Sequence, residues 1–341
     1  MLENLLAQTS TLLLLVIICV CIVFLCKGAD WMIDGVVELA KRTGLPRMVI
    51  GATVISLGTT MPEAFVSVTA AYMGNPGLAL GNGVGSIIAD TGLIFGLTCL
   101  LVKVPVHKFI LNRTGTIQVG AATLLVVLSV IARQTTTGDP TLGRWVGVLF
   151  LILLVGYLYL TYRWSVQSLV QDPRPRESGT EEPSSLWLSW TMLLVGLALV
   201  IIGARILVPS ASEIAFRFGI PEDIIAATLV AFGTSLPELM TAIASVRKGY
   251  PEIVVGNVVG ADVLNCLFVI GAAACARPLA IPANFFLFHF PAMLFILYSL
   301  RFFIFINKSG KFSRFSGGWL LGIYLVYVFL QYALNISLEH A

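Results

Sequence analysis

A passage of 53 residues occurs twice in this chain, and what recurs in it is polar. Residues 44–96 read GLPRMVIGATVISLGTTMPEAFVSVTAAYMGNPGLALGNGVGSIIADTGLIFG, and residues 219–271 read GIPEDIIAATLVAFGTSLPELMTAIASVRKGYPEIVVGNVVGADVLNCLFVIG. At an offset of 175 they align without a gap, and the sixteen identical positions are mostly Gly, Pro, Thr, Asn and Glu. Each copy sets a glutamate, Glu63 or Glu238, inside an apolar stretch. A polar site repeated in an apolar chain points to an internally duplicated transport architecture.

The apolar setting follows from composition. Of the 341 residues 57% are hydrophobic and only 11% charged, with a mean hydropathy of +0.93. That balance excludes a soluble domain. Several segments exceed the roughly 20 apolar residues that cross a bilayer core. In lipid the backbone must satisfy its own hydrogen bonds, which leaves helices or closed barrels. Continuous apolar runs without alternation select helices. Ten spans are expected, at about 11–40, 45–73, 77–102, 109–132, 143–163, 187–216, 220–246, 252–276, 283–306 and 316–336. The first and sixth are long, with amphipathic second halves.

Residues 165–186, SVQSLVQDPRPRESGTEEPSSL, are the most polar stretch and read as a linker between a first half, 1–164, and a second half, 187–341. Each half holds five spans. Five is odd, so the second half enters the membrane from the opposite side and the repeat is inverted. Positive charge sets the orientation. With the N-terminus outside, fifteen Lys and Arg residues fall in cytoplasmic loops and only Arg133, Arg144, Arg217 and Arg277 fall outside. Both termini are therefore expected outside, and the linker in the cytoplasm. The expected fold is an all-α integral membrane protein of ten transmembrane helices in two inverted five-helix repeats. Its expected place is a prokaryotic inner membrane. MLENLLAQTS has no basic region typical of a cleaved signal. The six cysteines all lie in spans, without zinc or redox spacing, and read as packing residues.

The chemistry lies in GTTMPE, 58–63, and GTSLPE, 233–238. Pro62 has no N–H for the Gly58 carbonyl, and its ring opens that turn. A helix break is expected at Gly58 and Pro62, and again at Gly233 and Pro237, releasing carbonyl oxygens. Thr59 and Glu63 are four apart and share a face, with Thr60 beside them. Thr234, Ser235 and Glu238 repeat the arrangement. In the next span Asn82, Ser86 and Asp90 line one face, beside the close-approach pair Gly81 and Gly85. The second copy has Asn257, Ala261 and Asn265 there. Each buried carboxylate costs about 2.5–3.5 kcal/mol on insertion scales. No midspan Lys or Arg in these four spans offsets Glu63, Asp90 and Glu238. Bound cations, protons or water must do so. Oxygen-only ligands suit hard cations such as calcium, and no nearby His or Cys suggests zinc or copper.

The paired motifs, each followed by G-N-x-x-G, resemble the alpha repeats of the cation/calcium exchanger superfamily, the sodium/calcium exchangers. KGADWMIDGVVELA, 27–40, is similar to the first span of that family. The resemblance covers the ten-span layout and implies antiport of calcium against sodium by alternating access. It implies a calcium site of Glu63 and Glu238 with the carbonyls of Thr59 and Thr234. It implies sodium sites that add Thr60, Ser86, Asp90, Ser235, Asn265 and the carbonyls of Ser56 and Ala231. Competition for shared oxygens then couples the two flows. Asn82 and Asn257 are further candidates. Ala261 departs from the family, which has Ser there, and Asp262 is an extra acid where the first copy has Ile87. Asp262 either bonds a neighbouring helix or adds charge to the site.

Proton-driven or potassium-dependent calcium exchange would use the same carboxylates. A cation channel is the alternative of a different class, but a channel usually repeats around the pore axis. No HExxH, GxSxG or nucleophile–base pair suggests an enzyme. The expected partners are small inorganic cations and the lipid bilayer, without nucleic acid, and one chain holds a complete site. Calcium and sodium are cargo, and no cofactor is expected. Asp30, Asp34 and Glu38, and the matching Glu213, read as solvated or helix-facing charges, and His289 as a packing residue.

Overall fold

The computed structural model describes residues 6, 8–106, 108–135, 139–171, 185–218, 233, 235–307 and 309–333. These form ten helical segments: α1 (Thr11–Thr43), α2 (Arg47–Met73), α3 (Pro76–Leu101), α4 (Lys108–Thr135), α5 (Arg144–Gln171), α6 (Leu186–Arg217), α7 (Leu236–Arg247), α8 (Pro251–Ala276), α9 (Phe285–Ile306) and α10 (Arg314–Ala333). Among the described residues, eight helices are long and apolar enough to cross a membrane. The other two are α7, 12 residues as described, and α10, 20 residues. Of the expected seventh span, 220–246, residues 220–232 and 234 lie outside the described residues. Helix α5 continues to Gln171, seven residues into the stretch read as a linker. Nothing from Ser165 to Gln171 breaks a helix, whereas Asp172 precedes Pro173, and a residue before proline disfavours helical backbone.

The repeat is written into the secondary structure. Helix α3 runs as α-helix over Pro76–Ala89, widens to a π-helix over Asp90–Phe95, and returns to α-helix over Gly96–Leu101. Helix α8 does the same over Pro251–Leu264, Asn265–Ile270 and Gly271–Ala276, each boundary displaced by 175. The turns that open them match as well. Gly74 and Gly249 have φ of 83° and 82°, the left-handed backbone that glycine adopts without strain. Pro76 and Pro251 follow in the first helical turn, where the missing N–H costs nothing.

The chain gathers into two compact units that do not follow the sequence halves: Met1–Thr43 with Glu177–Gly249, and Gly44–Arg176 with Tyr250–Ala341. In the first, α1 and α6 lie side by side. A methyl group on Gly28 would stand 2.7 Å from the Gly196 carbonyl, and one on Gly196 2.5 Å from the Gly28 carbonyl. Gly35 meets Ser189 and Leu193, while Gly203 meets Cys21 and Leu25. One numbering rises as the other falls, so the two helices are antiparallel. Adding 175 turns Gly28 into Gly203 and Cys21 into Gly196, so the contact repeats itself about a pseudo-two-fold axis. Lipid is as apolar as the helices, so small residues and close backbones supply the packing. At one end Arg217 donates to Thr11 Oγ1 at 3.0 Å and pairs with Glu213 at 2.8 Å. Towards the other, Lys248 meets Asp34 at 2.6 Å.

In the second unit α3 and α8 are also antiparallel: Gly83 meets Ile270 and the Asn265 carbonyl, and Thr91 bonds Asp262. The matching elements of the two halves thus run in opposite directions. Helix α8 is enclosed, every residue from Ile253 to Leu264 being buried. It lies parallel to the start of α2, where Gly256 meets Met48 and Ala52, and Gly260 meets Ala52 and Ser56. Gly96 of α3 faces Gly317 of α10, as Gly271 of α8 faces Gly147 of α5. The loops after α3 and α8 pair likewise. Pro105 bridges Lys311, while β1 (Thr141–Leu142) pairs antiparallel with β2 (Leu279–Ala280), Thr141 opposite Ala280.

Glycine contacts of this kind leave no room for a side chain. Gly196→Val and Gly260→Val are each expected to destabilise the protein by about 1–3 kcal/mol or more. Gly120→Ala, where nothing stands within 4 Å, is expected to be neutral. Thermal unfolding in detergent checks the contrast.

Candidate cation site

Helix α2 is polar on its buried side. Ser56, Thr59, Thr60, Glu63 and Ser67 are all buried, at spacings of three and four, while Met61 and Phe65 on the other side are exposed. This reverses the pattern of a helix in water: the outer face meets lipid, and oxygen is kept inside. Ser86 and Asp90 on α3 and Asn257 and Asn265 on α8 are buried too, and Asn82 is half-buried. Glu63 is 3% exposed and Asp90 1%, so both carboxylates are inside the protein.

Helix α2 is not broken where Gly58 and Pro62 predicted it. Ser56–Met73 is continuous, with Pro62 inside it. Proline's fixed φ is itself helical, so Pro62 costs the Gly58 carbonyl its ladder donor without stopping the helix. The departure from α geometry comes earlier, as a π-helix over Gly51–Ile55. In the second copy Pro237 sits in the first turn of α7, behind Ser235 at its N-cap. There its missing N–H is harmless. Gly233 is described, but Thr234 and Ala231 lie outside the described residues.

Hydrogen bonds fix this stripe to its neighbours. The Ser56 hydroxyl lies 2.8 Å from the Gly51 carbonyl, 2.9 Å from the Asn257 carbonyl and 3.2 Å from Asn257 Oδ1, and shares its proton among them. The Thr59 hydroxyl reaches the carbonyls of Ile55 at 3.2 Å and Ser56 at 3.4 Å. Asn82 Nδ2 donates to the Glu63 carbonyl and to Ser67 Oγ, both at 3.0 Å. Two expected site residues of different helices, Glu63 on α2 and Asn82 on α3, are thereby held in one register. Thr60 Oγ1, Ser86 Oγ and Asn265 Oδ1 are buried oxygens with no hydrogen-bond partner among the described residues. Such atoms are costly unless something electropositive meets them. Asn265 opens the π segment of α8 as Asp90 opens that of α3, and π turns are frequent at functional sites.

Glu238 and Ser235 belong to the first compact unit. Glu238 is 2% exposed, and its carbonyl accepts from Thr241 Oγ1 at 2.8 Å. Ser235, Glu238, Thr241 and Ser245 form a buried polar stripe on α7. Among the described residues no three of His, Cys, Asp and Glu stand close enough to hold a metal by themselves. The ligand oxygens on offer are therefore hydroxyls, amides and carbonyls around single carboxylates, a set suited to hard cations.

Asp262 is bonded to two neighbouring helices. Its Oδ2 accepts from Thr91 Oγ1 on α3 and from Gln118 Nε2 on α4, each at 2.5 Å. Of the two readings for it, bonding to neighbouring helices is the one observed. Thr91, Gln118 and Ser67 are the polar partners that motif reading passed over. A lone glutamine in the apolar fourth span was the available signal. His289 packs against Phe285 and bonds the Tyr327 hydroxyl at 2.9 Å.

A sequence profile of the sodium/calcium exchanger protein family matches residues 13–163 and again 188–333. The chain belongs to the sodium/calcium exchanger family. Within 310 aligned residues it is 32% identical to an uncharacterized membrane protein of Methanocaldococcus jannaschii, covering 89% of this chain and 93% of that one. It is 28% identical over 334 residues to the sodium/calcium exchanger MaX1 of Methanosarcina acetivorans, covering 90% and 95%. Its fold matches the solved sodium-calcium exchanger NCX_Mj with a TM-score of 0.77 at 28% identity, over 94% of this chain and 99% of that one. This exchanger chain is thus a multi-pass helical membrane protein of a cation-exchanging family.

Asn82 ties α3 to α2 through two bonds in this exchanger fold. Asn82→Ala is expected to lower stability by about 1–2 kcal/mol, read as a lower midpoint of thermal unfolding in detergent.

Proposed function

We propose that this protein is a secondary antiporter that exchanges calcium for sodium by alternating access. The observation that carries the reading is the buried oxygen stripe on α2 and α3, with Glu63 and Asp90 buried inside membrane-length apolar helices. A buried carboxylate in this setting marks an ion pathway. The family match in both halves and the named activities of MaX1 and NCX_Mj support the choice of ions. The opposite run of the matching helices supports inverted repeats, the architecture of alternating access.

In this reading calcium takes Glu63 and Glu238 with the carbonyls of Thr59 and Thr234. Sodium takes Thr60, Ser86, Asp90, Ser235 and Asn265 with the carbonyls of Ser56 and Ala231. One divalent ion or several monovalent ions neutralise the same carboxylates, but not both sets at once. That exclusion couples the flows. The two halves, 1–164 and 187–341, form one transport unit, with both termini outside and the intervening stretch in the cytoplasm.

Calcium-45 uptake into liposomes holding the purified protein tests this, with outward gradients of sodium, potassium and protons compared side by side. Sodium is expected to drive saturable uptake. Glu63→Gln and Glu238→Gln are each expected to reduce it by about a hundredfold or more, since removing mere outer-shell support of a metal site already costs 10–100-fold. Uptake driven only by protons would reject sodium coupling, and uptake unchanged in both variants would reject the site.

A further inference from the structure

One side of the duplicated core carries a polar cluster that the other side lacks. Asp262, on α8, is 1% exposed, and Thr91 on α3 and Gln118 on α4 both donate to its Oδ2. Displaced by the repeat offset of 175, the three positions are Ile87, Cys266 and Met293. Those residues lie on α3, α8 and α9, and all three are buried. The same places are therefore polar on one side of the pseudo-two-fold relation and apolar on the side related to it. Packing alone is met by isoleucine, cysteine and methionine. A buried acid within a span is costly, and a packing role does not call for it.

The place of the cluster indicates its use. Thr91 directly follows Asp90, and the two open the π-helix Asp90–Phe95. The wider π turn replaces the regular α ladder there, so side-chain bonds help to set how the turn is rotated. The Thr91–Asp262 bond joins that turn to the enclosed helix α8, and Gln118 holds the carboxylate from a third helix. We propose that Asp262 is a positioning residue for Asp90: by hydrogen bonding Thr91 it fixes the turn that aims Asp90, and so sets the sodium response of the exchanger. This rests on the reading of Asp90 as a sodium ligand. Asp262 acts through Oδ2, which two donors engage, while its Oδ1 is buried without a hydrogen-bond partner among the described residues. The calcium carboxylates Glu63 and Glu238 stand on other helices. Release of the clamp therefore weakens sodium binding more than calcium binding.

Thermal stability of the full chain in detergent, titrated separately with sodium chloride and calcium chloride, reads the two responses directly. Asp262→Ala and Thr91→Val are each expected to raise the sodium midpoint on the order of fivefold, as loss of one buried hydrogen bond implies. The calcium midpoint is expected to move less than twofold. The double variant is expected to match the single ones, because both remove the same bond. Asp262→Asn, which keeps an acceptor, is expected to restore most of the sodium response. The triple variant Asp262→Ile, Thr91→Cys, Gln118→Met imports the residues of the positions related by the repeat offset. It supplies a packed core for the same comparison if Asp262→Ala fails to fold. Equal shifts for both ions, an unchanged sodium midpoint, or an Asp262→Asn as impaired as Asp262→Ala beside a silent Thr91→Val would each overturn the inference. A wild-type protein stabilised by neither ion would overturn the exchange reading, and this inference with it.

Discussion

The close approach of α8 to α2 is the contact on which the rest of the second unit depends. Gly256 and Gly260 let the α8 backbone meet the carbonyls of Met48 and Ala52 and the Ser56 hydroxyl. Only at that separation can Ser56 bond Asn257 at 2.9 and 3.2 Å. In lipid there is no hydrophobic gain from bringing two apolar helices together, so packing and hydrogen bonds between them must carry the association. The glycines supply both: they give backbone contact, and they place polar side chains of α2 and α8 within reach of one another.

The polar stripes follow from that enclosure. Ser56, Thr59, Thr60, Glu63 and Ser67 can be buried because α2 turns them away from lipid, towards α3 and α8. Local bonds satisfy part of this oxygen: Asn82 engages the Glu63 carbonyl and Ser67. Thr60, Ser86 and Asn265 keep buried oxygens without such partners among the described residues. Unmatched buried oxygens of this kind suit the hard cations of the proposed exchange. Symmetry then fails at chosen places: acid at Asp90 against amide at Asn265, and Asp262, Thr91 and Gln118 against Ile87, Cys266 and Met293.

Much of this was legible from residues alone. The repeat offset paired α3 with α8 residue by residue, and Gly74 and Gly249 and then Pro76 and Pro251 impose the same opening turn on both copies, whereas the π segments within them were not expected. Thr59, Thr60 and Glu63 of α2 and Asn82, Ser86 and Asp90 of α3 were found from helical spacing, and all but the half-buried Asn82 are buried, whereas Ser67 and Thr91 were passed over. The proline rule misled at Pro62, since the loss of one ladder bond is tolerated where neighbouring helices enclose the turn. The end of α5 was placed too early because polarity was read as a helix stop, when only Pro173 supplies one.

The sequence by itself determined that the chain is helical, membrane-spanning and duplicated, and which residue types line the site. These follow from hydropathy and periodicity, which are local properties. Only the tertiary structure decided which of the matching helices touch, that the compact units draw on both halves, and which neighbours bond Asp262. The physical reason is distance along the chain. Thr91 and Asp262 are 171 residues apart and Gln118 and Asp262 144, so no local pattern encodes those bonds. They exist because α3, α4 and α8 are packed closely enough for an acid on one to accept hydrogen bonds from the other two.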